Sequence, residues 1–309
     1  MWLLKNAKFT YHRSPSLNMQ CLMVATACLV SALTQADQLP SPQTIMDKVD
    51  QQAREVSNAT LSKSQLSSCD FAIKNKKVLC TETPRVKSIE SVSKQLGEAK
   101  KDAQSISIVL EPASESGIGM LTYSYDDSSK DTESWLYLSA LGKVKRMASG
   151  TGEDQEPVSL FGSEFTTEDM ENGNTDEYDY TLLQSGPYKS REVWVIEAKP
   201  KPIRYAKTNY GKLIYWIDQE RYLPLKIQAY DKRETLHKRI MATEHEQING
   251  HWLSRDLTIY NLKRQRLSNM KTEKIAVNIK IDPDFLTQRT LTDFAYREQV
   301  LESLRNYFQ

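Results

Sequence analysis

Apolar residues in most of this chain recur at every second position, and that period limits what it can fold into. Leu223, Leu225, Ile227 and Ala229 alternate with Pro224, Lys226, Gln228 and Tyr230. Ile275, Val277, Ile279 and Ile281 alternate with Ala276, Asn278, Lys280 and Asp282, and Trp194, Ile196 and Ala198 form one face of segment 192–199. Strict alternation specifies antiparallel strands with one dry and one wet face. Shorter runs of the same kind fall at 105–110, 119–125, 134–138, 144–148, 178–183, 213–217, 236–246 and 252–262, and Asn249-Gly250 is a hairpin-turn pair. About ten to thirteen strands without a sequence repeat would curl into a barrel or half-barrel.

Helical signals are few. Ser41-Pro42 gives a cap followed by proline at the first helical position. Ile45, Val49, Ala53 and Val56 then make one apolar face, up to about Asn58, and a polar linker is expected from there to Ser68. Residues 94–101 read as a further short helix, 167–170 as a capped turn and 171–177 as an acidic loop. Phe294, Leu301, Leu304 and Phe308 lie on one stripe of a C-terminal amphipathic helix. The expected division is a leader at 1–36, a helix and linker at 37–64, one β domain at 65–290, and the terminal helix at 291–309.

The leader has the anatomy of a secretory signal peptide. Lys5, Lys8 and Arg13 precede an apolar run, Leu22 to Val30, and Thr34 and Ala36 stand at −3 and −1 of a cleavage site. The run falls short of the roughly 20 apolar residues of a membrane span, so an uncleaved anchor is the lesser alternative. Val24-Ala25-Thr26-Ala27-Cys28 is a weak lipoprotein-like box, and Met19 is an alternative start. The whole chain carries 41 basic and 40 acidic residues; cutting after Ala36 leaves 38 and 40. That balance excludes the basic face of a nucleic-acid binder. Of the remaining cysteines, Cys69 and Cys80 flank Asn75, where a hairpin turn would bring them together. A structural disulfide fits an oxidising compartment; free thiols are the alternative, and a redox pair wants closer spacing.

No reaction chemistry stands out. His237 and His245 share a strand face but lie roughly 26 Å apart, and His251, past the turn, would leave any zinc site short of ligands. The acidic loop from Asn172 has Glu177 and Leu183 where the calcium motif needs glycine and glutamate. Gly162-Ser163 lacks the second glycine of a nucleophile elbow, and there is no phosphate loop. No enzyme, metal or cofactor is expected.

Aromatic residues do stand out on the strands: Trp135, Tyr137, Trp194, Tyr215, Trp216, Trp252 and Tyr260. Several motifs occur in the order found in one known family. They are Gly117-Ile118-Gly119-Met120-Leu121, Trp135-Leu136-Tyr137-Leu138, Val144-Lys145-Arg146, and Phe161-Gly162-Ser163-Glu164-Phe165 followed by Glu168-Asp169-Met170. Tyr215-Trp216-Ile217-Asp218 and Leu223-Pro224-Leu225-Lys226 complete the set. Together they resemble the outer-membrane lipoprotein-sorting protein family, in its LolA-like branch, over roughly residues 65–290. Ser139 stands near a usual proline, and Glu164 replaces a usual aspartate.

The resemblance implies a mainly antiparallel, strongly curved, incomplete β-barrel with lid helices. It further implies a periplasmic carrier or chaperone for a lipid or an acylated protein. Such a carrier is expected to act as a monomer, with no covalent chemistry, alongside an inner-membrane exporter of the resistance-nodulation-division type. Trp135, Tyr137, Phe161, Phe165, Trp194 and Trp216 are then the expected cavity-lining residues. The competing expectation is an accessory module that docks on a transporter through Lys143–Arg146 and the acidic turn 164–171, without binding lipid.

Overall fold

A computed structural model describes residues 39–127, 129–147, 158–170 and 174–308. The expected leader, 1–36, and residues 171–173 of the acidic loop lie outside them. The chain opens with α1 (Pro42–Glu55), whose N-cap Ser41 Oγ accepts from Thr44 N at 3.1 Å, as the Ser-Pro pair predicts. Seven strands follow: β1 (Ala59–Lys74), β2 (Lys77–Cys80), β3 (Arg85–Leu96), β4 (Asp102–Glu111), β5 (Gly119–Ser124), β6 (Glu133–Leu138) and β7 (Lys143–Met147). A connecting segment carries the short α2 (Thr167–Met170). Then come β8 (Tyr178–Tyr188), β9 (Arg191–Pro200), α3 (Pro202–Lys207), β10 (Tyr210–Asp218), β11 (Pro224–Asp231), β12 (Leu236–Ile248), β13 (His251–Asn261) and β14 (Arg266–Val277). Two helices, α4 (Gln288–Thr292) and α5 (Phe294–Arg305), end the chain.

All 14 strands belong to one antiparallel sheet, in the order β7-β6-β5-β4-β3-β1-β14-β13-β12-β11-β10-β9-β8, with β2 paired to β1 off this path. The topology is two meanders, β3–β7 and β8–β14, joined where β1 lies between β3 and β14. The edge strands β7 and β8 do not pair, so the curved sheet is an incomplete barrel. The segment from β7 to β8 must therefore cross the sheet from one edge to the other.

Register assigns each side chain to a face. Ala276, Leu61, Val92, Ile106, Leu121 and Trp135 are successive cross-strand partners, so they form one continuous apolar row. That row lies on the outer face, under Leu291 of α4 and Leu301 and Leu304 of α5. A Cβ on Gly119 would fall 2.8 Å from Leu291 Cδ2 and 2.7 Å from Ile108 Cδ1, so the glycine lets α4 approach the sheet closely. The stripe on α5 differs from the expected one. Leu301 and Leu304 are buried, Phe294 is 65% exposed, and Arg297 takes the buried place instead. Arg297 Nη1 reaches the carbonyls of Thr290 and Leu291 at 3.5 and 3.3 Å, covering the C-terminus of α4.

Arg305 anchors the end of α5. Its Nε and Nη2 donate to Glu90, at 3.0 Å to Oε1 and 2.7 Å to Oε2, and Glu90 is otherwise buried. Arg305→Ala leaves that carboxylate without its partner. It is expected to lower stability by roughly 1–3 kcal/mol in urea unfolding.

Three local expectations fail. The polar linker to Ser68 is instead the first half of β1, the helix expected at 94–101 is the end of β3 and a turn, and the strand expected at 275–281 is β14, which begins at Arg266 and ends at Val277. The cause is common to β1, β3 and β14. The inner face here carries hydroxyls that pair across strands: Thr60 with Ser93 at 2.7 Å, Ser91 with Ser107 at 2.8 Å, and Ser68 with Ser268 at 2.7 Å. A strand whose buried face is serine shows no apolar alternation.

The hairpin of β1 and β2 carries the Cys69–Cys80 disulfide, with Cα atoms 5.7 Å apart. Asn75 and Lys76 have φ of 50° and 61°, which suits a tight two-residue turn. Cys80→Ser is expected to lower stability by at most about 3 kcal/mol, the chain-entropy value for so short a loop. Because β2 is exposed throughout, the first sign should be proteolytic cleavage within 70–80 well below the melting transition.

Candidate functional site

A cavity of about 500 Å³ lies between α1 and the inner face of the sheet. Met46, Val49 and Ala53 of α1, with its C-cap Val56, form its roof. Its floor takes Leu213 and Tyr215 from β10, Ile227 and Ala229 from β11, Ile240 and Ala242 from β12, and Leu257 from β13. Register explains the shared face: Leu213 pairs with Ala229, Tyr215 with Ile227, Ile227 with Ile240, and Ala242 with Leu257. The small residues leave the room. Ala229 and Ala242 on the floor, with Thr60 and Ser93 at the side, stand where larger side chains would reach the helix.

Contacts at both ends hold α1 over this space. Ile45 and Met46 pack on Trp194, Ile196 and Ile217, and Asp47 accepts from Thr175 Oγ1 at 2.7 Å. Toward the C-terminus, Gln52 Nε2 donates to the Arg221 carbonyl at 2.5 Å, and Asn249 Nδ2 donates to the Val56 carbonyl at 3.3 Å. Arg54 Nη1 donates to the Ala99 carbonyl at 2.5 Å, and the roof itself is a single helix.

The other end of the inner face is filled by the crossing segment. Leu160 N donates to the Phe165 carbonyl at 2.8 Å and Thr167 N to the Val158 carbonyl at 3.0 Å, so residues 158–167 form a small hairpin. Its turn needs Gly162 at φ 75°, next to Phe161 at φ 49°. Phe161 and Phe165 drive into a cluster with Leu66, Ile89, Val109, Met120 and Ile259. This hairpin plugs the trough.

Three carboxylates fasten the plug, and all three come from the motif that carries the family resemblance. Glu164 is buried; its Oε2 accepts from Asn261 Nδ2 at 2.7 Å, and its amide donates to Ser268 Oγ at 2.9 Å. Asp169 accepts from Lys238 Nζ at 2.5 Å and from Tyr210 OH at 2.6 Å, while Lys238 also donates to the Glu164 carbonyl at 3.1 Å. Glu168 accepts from Thr208 Oγ1 and from Asn209 Nδ2 at 2.9 Å. Burial raises the Glu168 pKa, outweighing the hydrogen bonds from Thr208 and Asn209 and the charge of Arg204. Burial also raises the phenols of Tyr178, Tyr180 and Tyr215, and for Tyr210 the carboxylates of Asp169 and Glu168 add to it. The floor of the cavity is apolar and phenolic, while Asp50, Gln52, Asn58, Gln95, Glu168, Asp169 and Arg204 also line the wall.

None of the six aromatic residues expected to line the cavity does so. Trp135 and Tyr137 face outward, under the C-terminal helices. Trp216 is on the outer face with Val195, and Lys226 Nζ lies 3.5 Å from its ring centre. Phe161 and Phe165 are in the plug. Trp194 has the right face but is covered by α1. Of the expected acidic docking turn, the described carboxylates Glu164, Glu168 and Asp169 are turned inward, and Glu171 lies outside the described residues. Lys143, Lys145 and Arg146 of β7 are exposed.

The histidines stay apart. His245 Nδ1 lies 3.1 Å from Ser254 Oγ, and His251 lies 3.9 Å from Glu55 on α1. Burial lowers the pKa of His237 and of His245, helped by Lys238 and Arg221 respectively. Among the described residues, no three His, Cys, Asp or Glu side chains converge as metal ligands.

Three solved structures share this architecture. A DUF1329 family protein from Desulfovibrio piger matches with TM-score 0.70 and 23% identity, over 81% of this chain and 97% of its own. A Vibrio parahaemolyticus domain described as outer membrane lipoprotein-sorting matches with TM-score 0.68 and 18% identity, over 81% and 98%. A LolA superfamily protein from Nitrosomonas europaea matches with TM-score 0.58 and 16% identity, over 81% and 98%. A protein-family model, described as that of an uncharacterized protein, matches residues 101–293. The chain belongs to this family and has the LolA-like fold. No curated protein matches it at a significant level. In this LolA-like chain, the ordered motifs mainly build the sheet, its helix contact and the plug, while Glu168, Asp169, Tyr215, Leu223, Pro224 and Lys226 of the same motifs also line the cavity. No helix among the described residues is long and apolar enough to cross a membrane.

Proposed function

We propose that this protein is a carrier that shelters an acyl chain of a lipid or lipoprotein between α1 and the sheet. One observation carries this reading: the floor of the sheet is lined with small and apolar side chains, and the helix above them leaves about 500 Å³ vacant. Pockets for apolar ligands have this volume and this kind of lining. Each methylene transferred into such a space contributes about 0.8 kcal/mol. Admission of a guest would move α1 against its packing of Ile45 and Met46 on Trp194, Ile196 and Ile217.

The periplasm is the proposed location, supported by the leader pattern and by the Cys69–Cys80 disulfide. A partnership with an inner-membrane exporter rests on the family resemblance alone. The accessory-module alternative is weakened, since the described carboxylates of its acidic docking turn are turned inward. Native mass spectrometry of protein purified without detergent is the direct test. A co-purifying lipid, or binding of a fluorescent fatty acid at micromolar concentration, is expected. Protein that stays empty and binds neither fatty acid nor phospholipid would remove the carrier role.

A further inference from the structure

The hairpin of β1 and β2 reaches beyond the sheet. The last partner of β1 on β3 pairs at Ser68–Arg85 and the last on β14 at Asp70–Arg266. From Phe71 to Lys74 only β2 accompanies it. The ribbon ends in Lys74-Asn75-Lys76-Lys77, and among the described residues these three lysines have no carboxylate partner. Directly behind them, Ile73 pairs with Val78 on one face, 67% and 38% exposed, and Leu79 is 49% exposed on the other. Exposed Lys263 and Arg264 belong to the turn whose Gln265 carbonyl accepts from Phe71 N at 2.8 Å, so they add to the same basic end. The acidic residues at this end are occupied: Asp70 with Arg266 at 3.3 Å and Glu82 with Arg85 at 3.7 Å.

We propose that this disulfide-stapled ribbon docks the protein on an anionic lipid surface. Basic side chains next to exposed apolar ones are what such a surface attracts. The apolar residues lie on both faces of the ribbon. A protein partner would cover one face and leave the other in water, whereas a headgroup layer surrounds an inserted tip on all sides. Lysine stems are long enough to fold back and keep their ammonium groups among the phosphates while Ile73, Val78 and Leu79 lie at the interface. The disulfide holds the two strands together so that the tip enters as a unit. Docking here does not depend on what the cavity holds, and the two fail separately.

An Ile73→Trp variant of the full chain provides a probe at the tip itself, unaffected by any contact the leader makes. Vesicles of phosphatidylglycerol with brominated acyl chains are expected to quench the added fluorescence relative to the unsubstituted protein. Brominated phosphatidylcholine vesicles should quench it little, and raising salt should abolish the effect. Adding K74Q, K76Q and K77Q to the probe variant should weaken the response on the order of 100-fold, from the usual contribution of a basic residue near an anionic membrane. The ribbon lies outside the apolar clusters, so melting should not change, and the salt titration of the lysine-containing protein tests the charge dependence independently. No quenching by anionic vesicles, or quenching indifferent to salt and to the lysines, would overturn the proposal. So would a tip that responds to polyglutamate and not to vesicles, which would indicate an acidic protein partner.

Discussion

Lys238→Met is expected to be the most destabilising single exchange in this protein, lowering the unfolding free energy by about 3–5 kcal/mol. Lys238 and Asp169 have side chains only 3% and 1% exposed, and their charged atoms are 2.5 Å apart. Removing the ammonium leaves Asp169 buried with Tyr210 and Thr166 as its remaining donors, and also removes the donor to the Glu164 carbonyl. A drop of that size corresponds to roughly 6–20 °C in melting temperature for a chain of this length. The loss should appear first in the plug, as protease sensitivity within 158–170, because the pair joins that segment to β12. Exchanging both partners for apolar residues, K238M with D169L, should recover much of the stability, since a buried pair is expensive to break and cheap to replace. If K238M melts within a degree of the parent protein, the plug is not held by this ion pair.

The plug also shows what the sequence could and could not reveal. The motif Phe161-Gly162-Ser163-Glu164-Phe165 stands out in the sequence through its place in the order of motifs that carries the family resemblance, and its acidic residue would ordinarily face water. Here it faces inward, and the partners that make this possible are scattered. Lys238, Asn261 and Ser268 come from three strands 70 to 100 residues further on, so nothing local in the motif marks burial. Asp218 differs in that its backbone partners are local, in the strand-end turn where it is buried. Burial raises its pKa, but the hydrogen bonds from Arg191 and from the backbone N–H groups of Arg221 and Glu220 outweigh that and hold it below the usual value. By contrast, α1, the disulfide hairpin and the strands from β4 to β13 were legible, because period, caps and turn residues are local signals. The strand stretches missed at 59–68, 85–96 and 266–274 have hydroxyls where an apolar stripe would have marked them. The cavity was misplaced for a related reason. Large aromatics draw attention as lining, yet a cavity is made where side chains are small, and Ala229 and Ala242 carry no signal until register sets them opposite α1.

Ala242→Trp should therefore weaken lipid binding by roughly 50-fold while leaving the fold intact. Ala242 lies on the cavity floor, directly across from Leu257, and its side chain points into vacant space rather than into a packed cluster. An indole there displaces guest rather than protein, so the overpacking penalty of a filled core does not apply. If it excludes about three methylenes of an acyl chain, the loss is about 2.4 kcal/mol, or roughly 50-fold in affinity. Tyr137→Phe and Trp216→Phe, both on the outer face, should bind as the parent protein does. Fluorescent fatty-acid titration of the three variants separates the possibilities, with thermal melting to confirm that each is folded. Unchanged binding in Ala242→Trp would mean that the guest, if any, lies elsewhere. Loss of binding in the outer-face variants instead would mean that the aromatic residues of the motifs, and not the small residues beneath α1, hold the ligand.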